Sequence, residues 1–241
     1  MIFEDVLTES DKLRAERTLG KLFRHDVSRW ALAGGFVTEL HIKKRVGLAS
    51  IRTLHDIDFI VPSFDCIPTG LAEDFLFRHV HPNDPPGKTL LQGVDEETGV
   101  RIDVFRAYGS VMDRTLPIEE MSQSLRMISH EDLTARAARL CLDLHEHRPI
   151  APKYARDFLR LLDLSTHEDV ESAWQEHRQT HRPESFASVA AEIRRLVAVR
   201  PELLVDPVYS TDVHEICSRC VKTSAFPLAD AQRILEILGY C

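Results

Sequence analysis

The sequence predicts an α+β protein: a small mixed sheet flanked by helices, followed by a mainly helical C-terminal domain. Three observations carry this. Short apolar stretches with a period of two fall before about residue 112, helical periods separate them, and beyond that point only helical periods are read, each fenced by Pro or Ser/Thr. The expected division is therefore 1–112 for the sheet-bearing part and 113–241 for the helical part. With 241 residues, 44% of them hydrophobic and 28% charged, the chain is long enough for one large or two modest cores.

Taken in order, residues 4–27 place Val6, Leu13, Leu19, Leu22 and Phe23 at helical spacing, so an amphipathic helix opens the chain. "WALAGG" (30–35) reads as a short buried strand running into a turn, and helical spacing resumes from Phe36 to Ile42. The basic stretch "KKRVGLASIR" is a loop. A strand over 55–61 follows, then the turn cluster "PSFDCIPTG" and a short helix leading toward another strand in "LAEDFLFRHV". "HPNDPPG" is a loop, and "KTLLQGVDEETGVRIDVFRAYG" has the form of a hairpin with an acidic, glycine-bearing turn. In the second half, Ser129 is a candidate N-cap with Glu131 and Asp132 in the first turn behind it. "KYARDFLRLLDLS" is the next helix, and 168–179, 184–199 and 228–239 are helical by period.

One strand raises a chemical question. In "RTLHDIDFIVP", Ile57, Phe59 and Val61 share one face, so Asp56 and Asp58 are neighbours on the other. Two carboxylates held that close and partly desolvated stay ionised cheaply only with a cation between them. Oxygen ligands of this kind suit Mg2+ or Mn2+. By itself the D-x-D pair is equally an edge strand showing two ordinary surface aspartates to solvent. "VRIDVF" repeats the anomaly: Ile102 and Val104 face one way and Asp103 the other. Three carboxylates from two strands can share a face, chelate metal, activate a hydroxyl and neutralise a triphosphate. Gly34 and Gly35, at a strand-to-helix turn, leave backbone N–H groups bare at a helix N-terminus, where phosphate oxygens can be cradled.

In that order, "LAGGFVTEL", "RTLHDIDFIVP" and "VRIDVF" resemble the signature of the nucleotidyltransferase superfamily, the DNA polymerase β-like fold, and most closely its AbiEii-type toxins and their relatives. Residues 25–110 carry the likeness. It implies that Asp56, Asp58 and Asp103 hold the metal, Asp103 also serving as base toward the acceptor, and that Gly34, Gly35 and Arg52, four residues ahead of Asp56, bind the nucleotide. In that group a lysine and an aspartate on a later helix complete the catalytic site, in wording similar to "PKYARDFLRLLDL", which points to Lys153 and Asp157. Spaced i and i+4, these two share a helical face, and an exposed ion pair explains the spacing equally well. Two features depart from the pattern: the frequent serine at the second glycine is absent, and the spacer from Gly35 to Asp56 is longer than in minimal members.

The implied activity is metal-dependent transfer of an NMP from an NTP to an acceptor hydroxyl or phosphate, with Mg2+ or Mn2+ as cofactor. RNA is the acceptor for a toxin-like enzyme, for which an antitoxin protein is the expected partner. The alternatives are an antibiotic nucleotidyltransferase of aminoglycoside or lincosamide type, or a non-catalytic nucleotide-binding interaction module. A net charge of −8 argues against a global nucleic-acid footprint, so such contact needs a local basic patch, for which Lys43, Lys44 and Arg45 are one candidate. Nowhere do about 18 apolar residues run together, and the acidic start lacks the form of a secretion signal, so a cytoplasmic protein without membrane contact is expected. Five scattered cysteines fit reduced thiols. The half zinc motif of His214, Cys217 and Cys220 lacks a second pair nearby and is better read as buried thiols on a helix. His55 is read as structural, and Trp30 and Trp174 as packing anchors.

Overall fold

The structure is a computed structural model that describes residues 3–80, 90–121, 123–178 and 181–206. It is a mixed α/β arrangement with helices flanking a seven-stranded sheet. Helix α1 (Glu9–Leu22) starts where the Thr8 hydroxyl accepts from the Asp11 amide. Strand β1 (Ala31–Leu32) is only two residues long and turns at once into α2 (Gly34–Val46). Strand β2 (Asp56–Val61) is followed by two short 3-10 turns, then β3 (Leu76–Val80), β4 (Leu90–Val94) and β5 (Arg101–Arg106).

The strands do not stop near residue 112, contrary to the sequence reading. Strands β6 (Leu116–Glu120) and β7 (Gln123–Met127) form a hairpin whose second strand pairs in parallel with β1, Ala31 opposite Arg126 and Leu32 opposite Met127. The hairpin is short, and its turn holds Met121 at a φ of 48° where a glycine or asparagine would be the usual sign. Its outer residues are exposed, so little apolar periodicity marks it in the sequence.

The sheet runs in the order β3-β4-β5-β2-β1-β7-β6. Its centre is the parallel pair β2–β5, in register Asp56 to Arg101, Asp58 to Asp103 and Ile60 to Phe105. One face of that pair is core: Ile57, Phe59, Val61, Ile102 and Val104 are all buried with α1 and α2 residues such as Leu19 and Val37. The same alternation that buries these side chains pushes the aspartates to the opposite face.

Behind the hairpin come α3 (His130–Cys141), capped by Ser129 as expected, α4 (Pro152–Leu162), α5 (His167–His177) and α6 (Phe186–Val199). These helices close a second core around Phe158, Trp174, Phe186 and Ile193. Leu133 of α3 and Leu161 of α4 pack instead into the first core, so these two helices bridge both. Trp30 and Trp174 are packing anchors whose indole N–H groups donate to the Cys66 and Pro183 carbonyls. The helix over 228–239 and the His214, Cys217 and Cys220 motif lie outside the described residues. Among the described residues no helix is long and apolar enough to cross a membrane.

Candidate functional site

Strand alternation and parallel register together build an acidic face. Asp58 and Asp103 are directly opposed across β2 and β5, and Asp56 lies two residues along from Asp58. Asp103 is 5% exposed, and its Oδ1 is buried without a hydrogen-bond partner. Burial pushes the Asp103 carboxyl up to about 7; Asp58 and Asp56 add to the push, while Arg101 and a hydrogen bond from Gln92 oppose it. Burial, reinforced by Asp56, likewise holds Asp58 well above the usual carboxylate range. Arg136, Lys153 and Arg101 pull the other way without restoring it.

The Gly34-Gly35 turn is shaped by its neighbours. The Ala33 amide donates to the Asp58 carbonyl at 2.9 Å, bringing the start of α2 against β2. Gly34 has a φ of +71°, and a β-carbon there would fall onto Asp58 Oδ2 and within 2.6 Å of its Cγ. A β-carbon on Gly35 would come within 2.6 Å of Arg52 Nη1. The two glycines therefore admit one carboxylate and one guanidinium to the helix N-terminus.

Arg52 is held by a buried network. Its Nε and Nη2 donate to Glu39 Oε1 at 3.0 and 2.9 Å, and Nη2 also reaches Asp157 at 2.6 Å. Arg160 grips both oxygens of Glu39 at 2.6 and 2.9 Å. Burial works against the Glu39 charge, but these arginines and the Ser50 amide outweigh it and hold the carboxyl low. Glu39, Arg160 and this function of Asp157 were not legible in the sequence: the four side chains come from α2, the loop before β2 and α4, and meet only in the fold.

The predicted pair on α4 thus divides. Asp157 turns to Arg52, whereas Lys153 acts on the charge of Asp58 and carries its ammonium 5.4 Å from the Tyr154 ring. From α3, Arg136 lies over the Phe105 ring at 4.8 Å and also acts on Asp58, and Arg139 lies 5.2 Å from the Tyr108 ring. Lys43, the first of the basic cluster ending α2, pairs with Asp5.

Arg101 is the residue at the acidic face that sequence reading missed. It precedes Asp103 by two positions, so alternation places it on the acidic face, and register sets it opposite Asp56. Its Nη2 ion-pairs with Asp56 and lies 3.4 Å from Asp103 Oδ2, while its Nε is buried without a partner. Burial disfavours its charge, but Asp103 and Asp56 outweigh that and raise its pKa. Among the described residues no group of three or more His, Cys, Asp or Glu side chains is arranged to hold a metal ion. The donor set is of the kind that suits a hard divalent cation: clustered carboxylates with one orphaned oxygen.

No protein-family model matches the chain, and no curated protein does. Among solved structures, the chain is similar to an antigenic nucleotidyltransferase-like protein from Paracoccidioides brasiliensis at 17% identity, over 80% of this chain and 91% of that one, with a TM-score of 0.43. It is also similar to JHP933 from Helicobacter pylori at 12% identity, over 96% of this chain and 90% of the other, with a TM-score of 0.40. With both scores below 0.5, neither likeness bears on the site; its own chemistry must.

Proposed function

We propose that this protein is a nucleotidyltransferase that moves an NMP from an NTP to an acceptor hydroxyl or phosphate and releases pyrophosphate. One observation carries the reading: three carboxylates stand together on adjacent parallel strands, two of them pushed above their ordinary range, with one arginine among them. A fold seldom keeps carboxylates this close and buried, one oxygen without a donor, unless a ligand completes them.

In this reading Asp56, Asp58 and Asp103 hold Mg2+ or Mn2+, which when bound neutralises triphosphate charge and helps activate the acceptor. Asp103 takes the acceptor proton, a role served by a carboxyl displaced toward neutrality. Gly34 and Gly35 offer the α2 N-terminus to the triphosphate, where the amides and the helix dipole favour anions. Arg52, fixed by Glu39 and Asp157, lines the same turn. Lys153 of α4, with Arg136 of α3, lends positive charge toward Asp58 from the helical side.

That cationic wall favours an anionic acceptor such as RNA over a cationic aminoglycoside. An RNA-modifying, toxin-like enzyme held in check by an antitoxin protein is the finer reading. The test is pyrophosphate release and label transfer from each α-labelled NTP with Mg2+ or Mn2+, total RNA and an antibiotic panel, comparing wild type with Asp58→Asn. Label on RNA that the substitution abolishes supports the proposal. Nucleotide binding with neither label nor pyrophosphate would replace it with a non-catalytic binding module.

A further inference from the structure

Arg101, Arg114 and Arg160 each meet buried or half-buried carboxylates, and they do so differently. Arg114 closes on Asp132 through Nε and Nη2 at 2.9 and 2.7 Å, and Arg160 closes on Glu39 through two nitrogens at 2.6 and 2.9 Å. Such forked pairing uses the planar geometry of the guanidinium and is hard to undo. Arg101 has two carboxylates within reach and forks onto neither. A single nitrogen, Nη2, serves both Asp56 and Asp103, Nε is buried without a partner, and so is Asp103 Oδ1. Each buried polar atom left unpaired costs stability that a better ligand would recover. The Arg101 and Asp56 side chains are 28% and 33% exposed, so the pair has a path to open.

We propose that Arg101 is a resident counter-ion that holds the acidic face in place of a divalent cation, and that cation binding requires its guanidinium to leave Asp56. This rests on the metal-dependent reading above. It makes Arg101 a positioning residue that sets cation affinity and acts as a gate: the face is charge-compensated at rest and opens only when a divalent cation outcompetes one monovalent side chain.

The test is Mn2+ binding to the full chain without nucleotide, followed by the electron paramagnetic resonance of free Mn2+, for wild type, Arg101→Met and Asp58→Asn. Removing one competing charge is expected to tighten Mn2+ binding by about tenfold or more in Arg101→Met, and Asp58→Asn is expected to weaken it. If Arg101→Met binds Mn2+ no more tightly than wild type while Asp58→Asn loses it, the gate is refuted and the metal site stands. If neither wild type nor Arg101→Met binds Mn2+ in an Asp58-dependent way, the metal-dependent reading fails with it. A wild-type measurement guards against a folding defect: the arginine Nε–H resonance of Arg101, assigned by its loss in Arg101→Lys, should move on Mg2+ addition. A resonance unmoved at saturating Mg2+ overturns the proposal.

Discussion

Asp103 and Asp132 are both buried aspartates beside an arginine, and their carboxyls are driven in opposite directions. Burial works against both charges. At Asp132 it is outweighed by Arg114, with His177 and Ser129 adding hydrogen bonds, and the carboxyl is held down to about 2. Glu176 shares Arg114, accepts the Ser110 amide and is likewise held down to about 2. At Asp103 burial wins, because its arginine is divided between two acids and a third carboxylate lies opposite. In the first cluster both Asp132 oxygens are gripped by the Arg114 fork, with only His177 Nδ1 left without a partner, as suits a structural tie between the 110–115 segment and α3 and α5. In the second, one arginine nitrogen is shared by two acids and an oxygen of Asp103 has no donor, the mismatch on which the proposed cation site rests.

The comparison is sharpened most by Asp58→Asn. Removing this carboxylate is expected to lower NMP transfer by at least about 100-fold, while stability to urea at neutral pH without metal is unchanged or higher. A clear loss of stability instead would mean the acidic face is a structural tie like its counterpart. Asp132→Ala should do the reverse: unfolding free energy falls by about 3 kcal/mol, because Arg114 and His177 lose a buried partner, while transfer per folded molecule is retained.

A smaller effect is expected from Gly34→Ala. The left-handed backbone alone costs about 1–2 kcal/mol, and the new methyl must displace Asp58, so transfer should fall well beyond what the stability loss explains. Equal loss of transfer in Gly47→Ala, which also has a positive φ but nothing within 4 Å, would make strain the sufficient cause.

The subtlest contrast is in pH. Asp103 has a folded-state pKa above its unfolded value, so the native metal-free protein binds more protons than the unfolded chain. Its contribution to stability therefore falls as pH rises from about 4, the ordinary carboxylate value, toward about 7. Asp132 is depressed, so its contribution is present above about 4 and is lost as pH falls toward about 2. Urea unfolding in EDTA across this range should show Asp103→Asn flattening only the upper limb. Flattening of the lower limb instead would reverse the two assignments.

What was legible in the sequence follows from geometry. Period-two alternation alone puts Asp56 and Asp58 together and sets Asp103 on the polar side of its strand, and caps such as Ser129 declare their helices. Arg101 has the same alternation as Asp103, yet its meaning depends on the parallel register that sets it against Asp56, which no local pattern encodes. The Glu39, Arg52, Asp157 and Arg160 network is silent for the same reason: its members lie up to 121 residues apart. The β6–β7 hairpin escaped because an edge hairpin with an exposed outer side needs few apolar residues.

That hairpin has a consequence for biosynthesis. β1 is two residues long and finds its second neighbour only when Arg126 and Met127 arrive, some 95 positions later in the chain. During translation β2, β4 and β5 can pair soon after they emerge, but the strand leading into the glycine turn is flanked on both sides only after β7 has left the ribosome. A nascent chain paused before that point would hold β1 from the β2 side alone, so the glycine turn gains its second support in the later half of synthesis.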